Sequence, residues 1–403
     1  MIDRASHRAF LDEQCRSLLA FGARSVHPEG GAAYLDDTGA PDPERQVHTW
    51  ITARTVHVYS LGALMGVTGA RETAEGAFAG LTGRLRDPVH GGWFHAVGAD
   101  GVPLAGAGKS AYDHAFVVLA ACSATRAGLP GAPALLEEAT GVLLVRFWDE
   151  EAGRCADHWD ATWSVLDPYR GLNANMHAVE AMLAVADTLD EPVWRERALR
   201  VAGFVAELAA EHDGRLPEHF DADWGVQLDL NRDHPDDPFK PFGATVGHGF
   251  EWARLLVELA AATGTDPGET PRLLFDRAVA DGWNVDGAPG FVYTTDWDGC
   301  PVVRDRMHWV AAEAVSAADA LYRATGERRF ARHYADWWEY VRAHLMDREH
   351  GSWHHQLDPS NRPKSDVWPG KPDLYHAVQA TLLPRTPTVP TLAAAVAEGK
   401  VMA

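Results

Sequence analysis

Self-similarity constrains this chain more than any other feature. Six chemically capable residues recur on what are otherwise apolar helical patterns: Arg54, His114, His177, Glu251, Glu313 and His376, at steps of 60, 63, 74, 62 and 63 residues. A second series alternates with the first, each member led by glycine and rich in aromatics and acids: Gly31 (GGAAYLDDTG), Gly91 (GGWFHAVGADG), Gly153 (GRCADHWDATW), Gly214 (GRLPEHFDADWG), Gly290 (GFVYTTDWDG) and Gly351 (GSWHHQLDPS). A fixed period marks units that cannot bury their apolar faces alone and must stack on their neighbours.

About sixty residues hold two ordinary helices and their connections. The stretches between the glycine-led segments repeat apolar residues at three and four, as in Val47 to Gly66, Ala111 to Thr125, Asn173 to Leu189 and Glu251 to Thr263. Six helical hairpins account for nearly all 403 residues. The expected fold is therefore all-α, an (α/α)6 barrel over residues 1–403 as one catalytic domain, with short β-hairpins or turns at one mouth. In such a ring the six inner helices run parallel, and equivalent positions of the repeats converge.

Convergence turns the period into a candidate site. Arg54 lies in a stripe of Val47, Trp50, Val58, Leu61 and Met65, where an unpartnered guanidinium is costly. Glu251 continues the stripe of Leu255 and Leu259, with His248 one turn earlier, and His376 precedes Gln379, Ala380 and Leu383. Each group falls near the start of its helix, where free N–H groups and the positive dipole end suit a polyoxygenated or developing anionic ligand.

Composition narrows the classes. A net charge of −21 without a basic cluster argues against nucleic-acid binding. The charged N-terminus lacks an apolar signal core, and no run approaches the roughly 20 apolar residues of a membrane span, so a cytoplasmic protein without membrane contacts is expected. Cys15, Cys122, Cys155 and Cys300 are far apart, which signals neither disulfides nor a thiolate zinc site and suggests buried small hydrophobes. The chain has 15 Trp against 14 Phe, and five of them (Trp93, Trp159, Trp224, Trp297 and Trp353) fall in the glycine-led segments. Packed over helix ends they are structural; gathered at one mouth they would form a wall for the apolar faces of a sugar.

Twenty histidines raise the question of a metal. Helix-built metal sites place ligands at i, i+3 or i+4, whereas here the helical histidines come one per repeat. The nearest local group, His350, His354 and His355, spans a predicted turn. No metal or other cofactor is expected. Nucleophile motifs are also missing, while Glu251 and Glu313 leave a carboxylate pair for glycoside hydrolysis open. Histidines dominate, however, and imidazole both takes and gives a proton near neutrality. That suits proton movement at a carbon beside a carbonyl, with His248 and His376 as acid and base, Arg54 facing the enediolate, and His177 and Glu251 holding the sugar and opening its ring.

Four motifs, HTWITARTVHVYSLGAL (His48 to Leu64), YRGLNANMHAVEAML (Tyr169 to Leu183), FGATVGHGFEWARLL (Phe242 to Leu256) and WPGKPDLYHAVQATLLPR (Trp368 to Arg385), closely resemble the N-acylglucosamine 2-epimerase superfamily, and within it the mannose isomerase and sulfoquinovose isomerase branch. The resemblance implies a cofactor-independent aldose–ketose isomerase acting on a small monosaccharide through a cis-enediol. It maps the acid/base pair onto His248 and His376, the arginine near carbons 1 and 2 onto Arg54, supporting groups onto His177 and Glu251, and sugar contacts onto Trp50, Tyr112, Asn173 and Trp309. Glu313 completes the expected substrate-binding set. Where the sulfoquinovose branch grips its sulfonate with arginine and glutamines, this chain has Pro238, His355 and Pro372, with Lys240 nearby. A buried sulfonate needs charge-assisted donors. A neutral hexose is expected instead: D-mannose to D-fructose, with D-lyxose to D-xylulose as the smaller pair. The sulfoquinovose isomerase and 2-epimerase activities of the same superfamily stand as the alternatives.

Overall fold

The computed structural model describes residues 4–402. Thirteen α-helices carry its architecture: α1 (Ala5–Gly22), α2 (Thr49–Leu64), α3 (Ala70–Thr82), α4 (Ala111–Arg126), α5 (Ala132–Val142), α6 (Leu172–Leu189), α7 (Val193–Glu211), α8 (Val246–Thr263), α9 (Thr270–Gly282), α10 (His308–Thr325), α11 (Arg328–Tyr340), α12 (Tyr375–Leu382) and α13 (Leu392–Ala397). The even-numbered helices α2 to α12 pack side by side into an inner ring, closed by α12 against α2. Helices α3, α5, α7, α9 and α11 each lie outside the inner helix that precedes them, and α1 lies outside α12, so the two ends of the chain seal the barrel together. This is the (α/α)6 fold.

Residue pattern separates the two rings. Inner α2 buries every residue from Thr49 to Gly62, polar Arg54 and His57 among them, as a helix enclosed on all sides must. Outer α11 buries Phe330, Tyr334, Trp337, Trp338 and Tyr340, a stripe at three- and four-residue spacing, and leaves the rest toward solvent. Small residues set the approach of the rings. A Cβ on Gly80 of α3 would stand 2.3 Å from the Gly31 Cα. Among the described residues no helix is long and apolar enough to cross a membrane. Cys15, Cys122 and Cys155 are buried and unpaired, whereas Cys300 is exposed in the turn after Asp296, contrary to the expectation of four buried thiols.

The glycine-led segments form β structure, but mostly between repeats. Two-residue strands entering the inner helices pair antiparallel with strands that follow the next outer helices: Val47–His48 with Ala96–Val97, Lys109–Ser110 with His158–Trp159, Arg170–Gly171 with His219–Phe220, Ala244–Thr245 with Thr294–Thr295, and Arg306–Met307 with Gln356–Leu357. Next to each ladder the first N–H of the inner helix donates to a carbonyl of that partner segment: Thr49 to His95 (2.9 Å), Ala111 to Asp157 (2.7 Å), Leu172 to Glu218 (3.0 Å), Val246 to Tyr293 (3.1 Å) and His308 to His355 (3.0 Å). An otherwise orphaned helix N–H is satisfied each time. Five inner helices are thus pinned at one mouth in the same register.

Candidate active site

From that register the side chains follow. The second residues of α2, α4, α6, α8 and α10 are Trp50, Tyr112, Asn173, Gly247 and Trp309; the sixth are Arg54, Phe116, His177, Glu251 and Glu313. Residues four apart share a helix face, so the second residues ring the mouth and the sixth lie one turn deeper. Helix α12 lacks a leading strand and brings His376 in as its own second residue.

A cavity of about 670 Å³ opens there, lined by Trp50, Arg54, Tyr112, Asn173, His177, His248, Glu251, Trp309 and His376. These are the expected site residues except Glu313. Glu313 sits behind the wall, 1% exposed, with one oxygen accepting from His376 Nδ1 (2.8 Å) and the other from Arg254 Nε (3.0 Å). It does not face the cavity as a sugar contact; it holds the histidine that does.

His248 is held in the same way, its Nδ1 donating to Glu218 Oε1 at 2.7 Å. A carboxylate on Nδ1 leaves Nε2 of each ring as the free proton-accepting nitrogen. Trp309 lies between the two rings, 5.0 Å from His248 and 5.7 Å from His376, tilted 36° and 35°. Burial, with Arg54 nearby, lowers the His376 pKa well below the ordinary imidazole value, so the ring rests neutral and ready to accept a proton.

Arg54 finds the partner its buried stripe required. It forms a short ion pair with Asp373, donates to the Tyr112 hydroxyl at 2.9 Å, and lies 4.2 Å from the Phe116 ring and 4.8 Å from Tyr375. Burial opposes ionisation of Asp373, but the guanidinium beside it outweighs that and holds its carboxyl below the usual range. His177 packs on Phe116 at 4.4 Å and is pushed down to about 4 by burial. Beneath it Glu180 accepts from the Tyr375 hydroxyl and from Gln379 Nε2 (3.0 Å).

Glu251 is the exception to this pairing. It is 1% exposed and neither carboxyl oxygen has a hydrogen-bond partner among the described residues; the nearest charged groups are Arg254 at 3.7 Å and His177 at 3.8 Å. Burial and then the charge of Glu313 push its pKa well up, which favours its protonated form. Further cavity-wall atoms left without a partner are Trp50 Nε1, Asn173 Oδ1, His308 Nε2 and Trp368 Nε1. Buried polar atoms are normally satisfied, and a ring of them facing one hollow is the complement of a hydroxyl-bearing ligand.

Two triplets approach metal-ligand spacing, His177 with Glu180 and Glu251, and Glu251 with Glu313 and His376. Both oxygens of Glu180 and Glu313 and Nδ1 of His376 are already hydrogen-bonded, whereas Glu251 and His177 Nδ1 have no hydrogen-bond partner and Glu251 has the Arg254 guanidinium 3.7 Å away. His350 and His354 lie 3.5 and 3.8 Å from Asp347, whereas His355 lines the cavity, so that local group is not one site.

Two expectations fail. His114 is wholly buried away from the cavity, its Nδ1 on the Ser110 carbonyl (2.7 Å) and its Nε2 on the Trp93 N–H (3.1 Å). Phe116 holds the equivalent position. Neither the five tryptophans singled out in the glycine-led segments nor Trp163 beside them lines the cavity; Trp93 and Trp353 are core, and the aromatic wall is Trp50, Trp309 and Trp368 with Tyr112, Phe239 and Tyr293. Sequence reasoning also missed Glu218 and Asp373. Glu218 belongs to the series His95, Asp157, Glu218, Tyr293 and His355, whose carbonyls pin the helices at the same period, so the glycine-led segments already carried its signal.

Comparison with known proteins agrees with this arrangement. The family model for N-acylglucosamine 2-epimerase (GlcNAc 2-epimerase) matches residues 30–380. The chain is 53% identical to a D-mannose isomerase of Thermobifida fusca over 399 residues, covering 98% of each chain. It is 43% identical to a D-mannose isomerase of Pseudomonas cannabina pv. alisalensis, covering 97% of this chain and 96% of that one. A crystal structure of a D-mannose isomerase superposes with a TM-score of 0.86 at 28% identity, over 93% of this chain and 96% of the other. A family match across most of the chain, relatives aligned end to end and a shared barrel leave one assignment: this protein belongs to the N-acylglucosamine 2-epimerase family and is an isomerase.

Proposed function

We propose that this isomerase interconverts D-mannose and D-fructose, and the smaller pair D-lyxose and D-xylulose, by proton transfer through a cis-enediol. The observation that carries the reading is the pair of carboxylate-held imidazoles, Glu218–His248 and Glu313–His376, facing one sugar-sized cavity across Trp309. Glu251, carrying a proton, donates to the ring oxygen while His177 accepts from the anomeric hydroxyl, and the aldehyde opens. One imidazole of the pair then removes the proton on carbon 2. The electrons of that C–H bond form the C1–C2 double bond, and the carbonyl π electrons move to O1, which is protonated. Loss of the O2 proton and return of a proton to carbon 1 complete the ketose. Arg54 lies where O1 and O2 carry developing charge.

Selectivity for a neutral sugar follows from the wall. Pro238, His355 and Pro372 all line the cavity, and Arg54, already paired with Asp373, is its sole cationic lining residue among those described. Lys240 lies outside, 3.7 Å over the Tyr169 ring. A sulfonate or phosphate would be desolvated there without a charged donor. Hydrolysis by Glu251 and Glu313 is disfavoured because Glu313 has both oxygens engaged behind His376.

Incubation of mannose with the chelator-treated protein in heavy water tests the reading. Fructose bearing solvent deuterium at carbon 1 is expected. Glucose as the sole product would overturn it in favour of 2-epimerisation, and turnover only with an added divalent ion would overturn the proton-transfer route.

A further inference from the structure

One buried side chain outside the cavity touches both halves of the constellation. Arg254 lies on α8, three residues after Glu251, and is 2% exposed. Its Nε donates to Glu313 Oε2 at 3.0 Å, and Glu313 Oε1 takes the Nδ1–H of His376. Its Nη1 is forked against both oxygens of Glu258 at 3.2 Å. Its Nη2 approaches Glu251 Oε1 at 3.7 Å. A continuous series of contacts therefore runs from His376 through Glu313 and Arg254 to Glu251. Arg254 and Glu258 do not line the sugar cavity; they face a separate cavity of about 830 Å³ behind it, with Glu180 and the segment 386–393.

We propose that Arg254 is a positioning residue of the isomerisation, its single planar guanidinium, anchored on Glu258, fixing the carboxylate behind His376 while its free edge faces Glu251 at 3.7 Å. The inference rests on the proton-transfer reading above. A guanidinium presents its donors at fixed angles, so Glu313 and Glu258, both hydrogen-bonded to it, cannot reorient independently, whereas the point charge of a lysine imposes no such frame. Charge matters as well as shape. Glu180, Glu251, Glu258 and Glu313 crowd this region, and the charge of Arg254 favours ionisation of all four against the opposing effect of burial. Burial raises the pKa of Glu313 as it does that of Glu251, but Glu313 has both oxygens hydrogen-bonded, one of them to Arg254, and Glu251 has neither, so Arg254 favours the ionised Glu313 that accepts from His376.

Arg254→Met, Arg254→Lys and the parent are compared in mannose kinetics across pH and in the low-field proton resonance of His376 Nδ1–H, assigned by its loss in His376→Asn. Arg254→Met is expected to lower kcat about 100-fold with KM within about 3-fold, the scale of a misplaced catalytic group. Its acid limb should move to higher pH, because Glu313 loses the cation that favours its ionised form. Arg254→Lys should keep the acid limb but lose about 10-fold in kcat, and the resonance should shift or broaden in both variants. If Arg254→Met does not fold, Arg254→Lys decides through kcat and the resonance. An unmoved resonance, or parental kcat in Arg254→Lys, overturns the proposal. Absence of isomerisation by the parent would sink the functional reading, while the resonance would still report whether Arg254 sets the His376 contact.

Discussion

At the scale of single residues, the site is a set of paired groups with one left open. Glu218 exemplifies the pairing. Its carboxylate fixes the tautomer and ring orientation of His248 without lining the cavity itself. Glu218→Gln preserves size but can present its amide N–H to Nδ1, favouring the tautomer that carries the proton on Nε2. Mannose kinetics should show kcat lower by about 100-fold with KM little changed; a variant at parental kcat would refute the orienting role. His248 and Arg54 were readable in the sequence because each interrupts an apolar stripe. Asp373 was not, and Glu218 showed only its place in the periodic glycine-led segments and not its partner, because only the folded chain brings them against Arg54 and His248.

At the scale of the element, the inner helices work by register. Positions two and six share the inward face because four residues make about one turn, and the reading that singled out His114 erred by two positions. Two residues rotate a side chain about 200° around a helix, which carries His114 from the barrel axis onto Trp93 and Phe147. Phe116 restores the even period, with steps of 62 and 61 residues from Arg54 and to His177. A search confined to polar residues passes over it. Gly247 fills position two of α8, and a Cβ there would lie 2.2 Å from the Trp309 ring and 2.9 Å from Val310. Gly247→Ala should therefore push Trp309 off its place between the two imidazoles. We expect a stability loss of about 1–3 kcal/mol, typical of overpacking, with a fall in kcat/KM. Thermal melts and mannose kinetics check both, and parental values in each would show that Trp309 yields freely.

At the scale of the whole molecule, burial of neutral imidazoles ties the barrel's stability to pH. Burial pushes His57, His114, His177 and His308 down to about 4 each, against roughly 6.5 in the unfolded chain. Between those values the unfolded state binds more protons than the folded state. Stability is therefore full above about pH 6.5 and is lost as pH falls toward 4, at about 1.4 kcal/mol per pH unit for each such histidine. Urea midpoints should drop between pH 7 and pH 5, and a flat profile would contradict the burial of these rings as neutral groups. Closure of the ring contributes to the same end: α1 against α12 joins the chain's two ends, and with them the cluster of buried charges along the barrel axis is kept from water.

What the amino-acid sequence determined by itself is the repeat, the helical hairpin and the helix face each repeat turns inward, because periodicity is a local property that survives without knowledge of the fold. The choice of mouth residues along that face followed for Arg54, His177 and Glu251, while the second-position aromatics came only with the family resemblance. Only the tertiary structure decided which carboxylates stand behind the imidazoles, why Glu313 is withdrawn from the sugar, and which tryptophans form the wall. Those are contacts between segments as many as 319 residues apart, as for Arg54 and Asp373. Their geometry is set by ring closure and by the strand ladders that pin the inner helices, and neither has a counterpart in any one stretch of sequence.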